Sequence, residues 1–353
     1  MKVLITGGSG HIGSFAVAHL LARGYNVRII DRTPAETIPP DVAERIRGAE
    51  YVQVDITDYQ ATRVQVAGID AVAHLAAIPH PIPGKDAEIF HINCGGSFNV
   101  YQAAADAGIK RVVSASSINA LGNGYGIRNV DVKYFPIDEE HPGWTTDIYS
   151  FSKQLLEETA AYFWRRNEIS GACLRFPFVY NPEWFVYRPG PGEPEPDRAA
   201  FRQRMLADFD AVMALPEAQR REQMASMMAR LADLRDRQLK GEIDHEDARK
   251  EFQSIPCAMF AFGRNDFWTN LDVRDAAQAI EKALVAGYES SHPLWVVNTH
   301  NTMGLPSREL AALMYPDVKT WKRPVPGDES LISIDKARAM IGFEPEYSHN
   351  FAA

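Results

Sequence analysis

A phenol and an ammonium stand four residues apart in Tyr149-Ser150-Phe151-Ser152-Lys153. On a helix this spacing puts both groups on one face. The chemistry open to such a pair is acid–base: the Lys153 charge lowers the Tyr149 pKa, so that the phenol can trade a proton with an alcohol. Tyr315 and Lys319 share the spacing, but Pro316 follows Tyr315 and argues against a helix interior there. Tyr149 instead opens a long amphipathic stretch. Upstream, Ser114-Ala115-Ser116-Ser117 ends an apolar run and continues into Ile118-Asn119-Ala120-Leu121-Gly122. If that run is a strand of a doubly wound sheet, its carboxyl end faces the ligand crevice. Ser117 can then bond the substrate oxygen whose proton Tyr149 exchanges.

A second constellation lies at the N-terminus. Thr6-Gly7-Gly8-Ser9-Gly10-His11-Ile12-Gly13 joins an apolar run to a helical pattern. Gly8, Gly10 and Gly13 satisfy Gly-x-Gly-x-x-Gly, and Gly7, Gly10 and Gly13 give Gly-x-x-Gly-x-x-Gly. Glycines are needed where side chains would keep a pyrophosphate from the backbone N–H groups at a helix start. Asp31 follows 18 residues after Gly13, where a carboxylate bonds the adenosine ribose hydroxyls. It repels a 2′-phosphate, so NAD is expected over NADP, although Arg32 beside it could accept one. Asp55, followed by Ile56, is an adenine contact or the cap of a helix starting near Thr57. A nicotinamide cation near Tyr149 would join Lys153 in lowering its pKa.

These groups need a frame. Apolar runs at 3–5, 27–30, 51–54, 71–75, 112–113 and 172–176 read as buried strands. Helical stretches at 12–23, 89–107 and 149–166 alternate with them. The alternation predicts an α/β chain with a Rossmann-type doubly wound parallel sheet. Residues 189–196 read Pro-Gly-Pro-Gly-Glu-Pro-Glu-Pro, an extended linker. Residues 197–252 are helical in composition, with breaks expected near Leu215-Pro216 and Gly241. Five of the ten methionines sit in this insertion, as packing filler, a lid or a subunit contact. The α/β pattern then returns, with 294–298 strand-like and 335–341 helical. The expected division is a cofactor domain over 1–182 carrying the catalytic residues, a linker and helical insertion over 183–254, and a smaller substrate lobe over 255–353.

Composition excludes several classes of protein. The chain has 353 residues, 46% of them hydrophobic, and a net charge of −9. An acidic surface argues against nucleic-acid binding, and no apolar run is long enough for a membrane span. Cys94, Cys173 and Cys257 are too scattered for a zinc site or a disulfide framework, so no metal is expected. A reducing cytoplasm is the expected location.

Together the residues resemble the extended short-chain dehydrogenase/reductase family, also called the NAD-dependent epimerase/dehydratase family. The matching pieces are the 6–13 loop, Asp31, Asp55, His74-Leu75-Ala76-Ala77, Asn93, Ser116-Ser117, Tyr149 with Lys153, and Leu174-Arg175-Phe176-Pro177. Residues 272–277 and 337–345 also match, and only about 185–255 falls outside. The resemblance implies Tyr149 as acid/base, Lys153 as the holder of the nicotinamide ribose and Ser117 as the substrate-orienting hydroxyl. It also implies that Gly7, Gly10, His11, Ile12, Gly13, Asp31, Arg32, Asp55, Ile56, Leu75, Ala76, Ala77, Asn93 and Pro177 border the cofactor, and that the protein is a homodimer.

The chain departs from the sugar-nucleotide members of that family. Phe178 stands where an asparagine commonly serves the substrate, and Trp268 where an arginine grips the diphosphate, with Arg264 and Arg274 close by. Residues 115–122 look more like those of uronate dehydrogenases. Asn119, with His80, Asn123 and Arg175, could supply polar contacts to a small polyol or sugar acid. The expectation is an oxidoreductase or epimerase acting on a secondary alcohol of a sugar-type substrate, with Ser117, Asn119, Phe178 and Trp268 lining its site. UDP-sugar 4-epimerase, free sugar-acid dehydrogenase and non-catalytic dinucleotide sensor are the alternatives.

Overall fold

Alternate residues of the central strands feed two separate cores. Val3 and Ile5 of strand β1 (Lys2–Thr6) pack on one face of the sheet, and Leu4 between them packs on the other. The computed structural model describes residues 1–125, 128, 130–182, 198–261 and 263–347, so the 189–196 linker lies outside the described residues. The other strands are β2 (Asn26–Asp31), β3 (Glu50–Gln53), β4 (Ala71–His74), β5 (Val112–Ser117), β6 (Tyr134–Phe135), β7 (Gly171–Phe176), β8 (Phe178–Tyr180), β9 (Asn270–Asp272), β10 (Ser291–Trp295) and β11 (Thr320–Trp321). Seven of them form one parallel sheet in the order β10-β7-β5-β4-β1-β2-β3. The winding direction reverses between β1 and β4. Ligands of open α/β sheets bind outside the strand ends at such a point.

The expected strands are all present, with one shift. The strand expected at 294–298 runs from Ser291 to Trp295, through Pro293. It lies at the sheet edge, where a strand tolerates a residue with no N–H. The helix expected over 89–107 is interrupted: a π-helical turn at His91–Gly96 separates Asp86–Phe90 from Ser97–Asp106. Gly96 lies so close to Ile56 that an added Cβ would stand 2.6 Å from its side chain.

The insertion forms three helices, Arg198–Met213, Glu217–Leu239 and His245–Ser254, separated at the expected places. Met205, Phe209, Met224, Met227 and Leu234 are buried in the same core as Leu310, Leu313 and Met314 of the C-terminal lobe. Its methionines therefore pack against the lobe. The short pairs β8–β9 and β6–β11 tie the lobe back to the segments that leave the main sheet.

Candidate active site and dinucleotide cleft

The 6–13 turn is fixed by its own backbone. Gly7 has φ +71, and a Cβ there would lie 2.8 Å from the backbone of Ala76. A Cβ on Gly13 would lie 2.1 Å from the Gly7 carbonyl oxygen. Gly10 is different, since its Cβ would meet only that same oxygen, at 3.1 Å. Gly10 caps the helix His11–Ala22 with no side-chain cap and no acid in the first turn. The uncapped N–H groups and the positive end of the helix suit an anion. His11 lies over this start, its Nε2 3.1 Å from the Val179 carbonyl, and burial holds its ring below the ordinary pKa.

Asp31 ends β2 and turns back to the loop. One carboxylate oxygen accepts from the Ser9 N–H at 3.1 Å and the Ser9 hydroxyl at 2.7 Å, and the other accepts from the Thr33 N–H. Arg32 beside it is exposed. Asp55 is not a helix cap: Asp58 caps Tyr59–Gln65 by accepting from the Ala61 N–H. Burial pushes the Asp55 carboxyl up, but the Thr57 N–H and hydroxyl and the Arg32 charge hold it below its ordinary value. Ile56 packs under Gly96.

Behind the cleft a polar spine joins β1 to β4. Thr6 Oγ1 accepts from the Leu75 and Ala76 N–H groups and lies 2.8 Å from His74 Nδ1. His74 Nε2 lies 2.8 Å from the Ser97 hydroxyl, and burial pushes its pKa down to about 3, so the ring is neutral. Leu75, Ala76 and Ala77 leave this spine half-buried at the cleft. Asn93, in the π-helical turn, accepts from the Ile78 N–H at 2.8 Å and donates to the Ile78 carbonyl and the Ser152 hydroxyl, both at 3.1 Å. Its amide thus latches the cleft loop to the helix that carries Tyr149.

That helix, Ile148–Asn167, is capped by Asp147, which accepts from the Ser150 N–H at 2.8 Å. The cap places Tyr149 and Lys153 in its first two turns, both buried on the side facing β5. Lys153 donates to the Ala115 carbonyl at 2.8 Å, and its Nζ lies 5.7 Å from the Tyr149 ring centre. Burial pushes Lys153 down to about 8. The chain alone does not show the lowering of Tyr149 expected with a nicotinamide cation beside it. Burial holds its phenol well above the ordinary value; the Ser117 hydroxyl opposes this, while Tyr125, Asp147 and Asp266 add to it. In the chain alone Tyr149 is a proton donor. Ser117 ends β5 and accepts from the Asn119 N–H and side-chain amide at 3.1 and 3.3 Å, which leaves its own proton free to donate.

The substrate-side expectations fare unevenly. Asn119 is buried beside Ser117, and its side-chain oxygen has no partner. Phe178 is 51% exposed at the start of β8, next to Pro177. Trp268 is only 1% exposed; its indole N–H donates to the Phe260 carbonyl and its ring packs edge-on against Tyr315. It is a packing residue of the lobe. Arg175 is also engaged elsewhere: Glu157 takes its Nε and Nη2 in a buried two-bond pair, and Ser116 donates to the same carboxylate. Asn123 donates to the Asn265 carbonyl. Sequence reasoning missed Tyr125, whose ring stands edge-on to Tyr149 at 5.7 Å, and Asp266. Gly263 marks a turn there, but nothing local links that turn to a tyrosine more than a hundred residues earlier.

A parallel sheet with a reversing strand order, an open helix start and a buried Ser–Tyr–Lys set define a dinucleotide-binding protein of the Rossmann class. A family model described as the NAD dependent epimerase/dehydratase family matches residues 3–223, and the chain belongs to that family. Its members are enzymes of the extended short-chain dehydrogenase type. NAD is their cofactor, and the Gly10 helix start and Asp31 fit that dinucleotide. The chain is 31% identical over 172 residues to the UDP-glucose 4-epimerase of Mus musculus, a match covering 44% of this chain and 47% of that one. It is 35% identical over 162 residues to a 3 beta-hydroxysteroid dehydrogenase/isomerase of Mycobacterium tuberculosis, covering 44% and 41%. The chain thus spans less than half the length of these relatives. Among solved structures, the Thermotoga maritima UDP-glucose 4-epimerase with UDP-glucose aligns over 99% of this chain and 94% of that one, at TM-score 0.59 and 21% identity. A mutated uronate dehydrogenase aligns over 98% and 82%, at TM-score 0.55 and 19% identity. At these identities the structural likeness establishes the fold alone.

Proposed function

We propose that this protein is an NAD-dependent oxidoreductase or epimerase acting on a secondary alcohol of a sugar-type substrate. The observation that carries the reading is the meeting of Ser117, Tyr149 and Lys153 at the carboxyl end of β5, beside the cleft. NAD, when bound, supplies the site that accepts or returns a hydride, and its oxidised ring brings a positive charge. The backbone at Gly10, Ile12 and Gly13 would hold the pyrophosphate, Asp31 the adenosine ribose, and Lys153 the nicotinamide ribose. Asp55 and Ile56 would border the adenine, and Leu75, Ala76, Ala77 and Pro177 the rest of the cleft.

Tyr149 is the acid/base. As a neutral phenol it protonates a carbonyl oxygen; in the oxidation direction it takes the proton of the substrate hydroxyl. Ser117 donates to that same oxygen and keeps it within reach. Lys153, anchored on the Ala115 carbonyl, keeps a positive charge near the phenol. Asn93 is a positioning residue in this reading, since its three bonds hold the cleft loop against the Tyr149 helix.

Two further proposals go with it. Residues 1–182 bind the cofactor, and residues 255–353, completed by 183–254, close over the substrate. The protein is a homodimer: Phe90, Phe98, Phe151 and Tyr162 are each at least 40% exposed and stack as the pairs Phe90–Phe151 and Phe98–Tyr162. Exposed aromatic pairs of this kind favour a protein partner. Sedimentation should give a dimer that Phe98→Glu converts to monomer.

The enzymatic reading is tested with free sugars, sugar acids and nucleotide sugars, following NADH absorbance and product stereochemistry together. Tyr149→Phe should lower kcat by about 10²–10⁴-fold while NAD still binds. Unchanged turnover would rule out Tyr149 as the acid/base. Failure of every substrate to react would favour the dinucleotide-sensor alternative.

A further inference from the structure

The segment Arg264–Asp266 is a short 3-10 turn, bounded by Gly263 at φ +76 and by Phe267 and Trp268 at +52 and +53. Three left-handed residues around one turn cost backbone strain for the two aromatic ones, and strain persists only where its surroundings fix it. Here the surroundings are the active-site segment. Asn123 donates to the Asn265 carbonyl at 2.7 Å, and Tyr315 donates to the Arg264 carbonyl at 2.6 Å. Gly124 lies against the turn and against Asn119 at once: a Cβ there would stand 3.8 Å from that of Asn265 and 2.5 Å from Asn119 Oδ1. Tyr125 follows, edge-on to Tyr149.

Two hydrogen-bond acceptors without donors therefore lie in the two segments that Asn123 and Gly124 bring together near the catalytic tyrosine. Asn119 Oδ1 is buried and unpartnered, although the rest of that side chain is held against Ser117. Asp266 is half-buried, and among the described residues no donor or cation reaches its carboxylate. Its charge is felt at Tyr125, Tyr149 and Tyr315. A buried acceptor without a partner costs about 1–3 kcal/mol, so a ligand that supplies donors gains by satisfying it. Among the described residues, the arginines nearest this turn each have a partner elsewhere. Arg264 lies over the Tyr315 ring and donates to Met314, Arg274 pairs with Asp272, and Arg175 pairs with Glu157.

We infer that Asp266, with Asn119, forms a hydroxyl-accepting subsite that selects a neutral, unphosphorylated polyol or sugar and rejects sugar acids and nucleotide sugars. The inference rests on the proposed oxidoreductase reading and narrows its substrate class. A like charge brought next to a carboxylate in a partly desolvated site is strongly disfavoured, whereas a sugar hydroxyl donates to it directly. Asp266 is then a specificity residue, and its effect should fall mainly on KM, any change in kcat following the loss of its charge near Tyr149.

The test is binding and turnover of free hexoses, the matching hexuronates and UDP-hexoses by the NAD-loaded protein and its variants. Binding is read by intrinsic fluorescence in the presence of NADH and turnover by NADH absorbance. The native protein should prefer a hexose over its hexuronate at least tenfold. Asp266→Asn, which keeps the side-chain shape, should weaken the hexose about tenfold and narrow the gap to the hexuronate. Asn119→Ala should weaken the hexose as well, and NAD affinity should be unchanged in both. A native preference for hexuronate or UDP-hexose, no binding of any hexose, or an Asp266→Asn protein with unaltered discrimination would each overturn the inference. Turnover with unaltered discrimination would leave the oxidoreductase reading standing. Selective hexose binding without NADH formation would do the reverse.

Discussion

The dinucleotide turn and the substrate-facing roof are both made of loops, yet they are specified in different ways. At the turn backbone packs on backbone: Gly13 cannot carry a Cβ because the Gly7 carbonyl, six residues back, is 2.1 Å from where it would sit, and Gly7 itself lies against the Ala76 backbone. At the roof Asn119, Gly124 and Tyr125 come from one segment and Asp266 from another more than a hundred residues later, the two joined through side chains such as Asn123 on the Asn265 carbonyl. A site packed on its own backbone keeps its geometry. A site assembled at long range can change specificity without disturbing the fold.

The sharpest way to break this contrast is within the turn itself. Gly13→Ala must displace backbone, so it should cost about 3 kcal/mol or more in stability and abolish NAD binding at millimolar cofactor. Gly10→Ala meets only one atom at 3.1 Å and should keep the fold while weakening NAD, because its methyl group intrudes where the pyrophosphate approaches. Thermal unfolding with NAD titration reads both. Equal losses in the two variants would mean that the turn is not held by its own packing.

The same contrast explains what the sequence revealed. The strands, the broken helical insertion and the Tyr149 helix were legible because each rests on periodicity, on proline or glycine, or on a cap within a few residues. Asp31 was legible from its distance along the chain. Three features were not. The π-helical turn at His91–Gly96 packs against Ile56 from another element, a contact the local pattern does not report. Trp268 occupies an arginine's position in the family pattern, but Phe260 and Tyr315 draw it into the core. The high pKa of Tyr149 follows from burial, which charge spacing along a helix does not report.

The roof yields a pH signature of smaller size. Burial raises Asp266 to about 6 from an ordinary 3.8, so the folded chain binds this proton more tightly than the unfolded chain. Its ionisation then costs nothing below pH 4, and the cost grows as pH rises to about 6 and levels off above. The loss is at most about 3 kcal/mol for a shift of this size. Asp275, also raised by burial to about 6, contributes in the same window. Urea unfolding from pH 4 to 8 should show stability falling with pH, and Asp266→Asn should remove roughly half of the slope while leaving the Asp275 part. A slope unchanged by the substitution would place Asp266 in contact with solvent.

The turn yields the smallest effect, and it concerns selectivity. Asp31→Asn keeps an acceptor for the Ser9 N–H and hydroxyl, so the loop should hold its shape. What it removes is the negative charge where a 2′-phosphate would stand, and it leaves Arg32 exposed beside that place. Coulomb repulsion at the edge of the cleft amounts to about 1–2 kcal/mol after screening. The ratio of NADP to NAD affinity should therefore rise about tenfold, mainly through tighter NADP binding, as measured by calorimetry at low and at physiological salt. The gain should shrink as salt is added, because the term is electrostatic. A ratio that does not move would show that the turn selects its cofactor by shape alone, with the Asp31 charge serving only to hold Ser9.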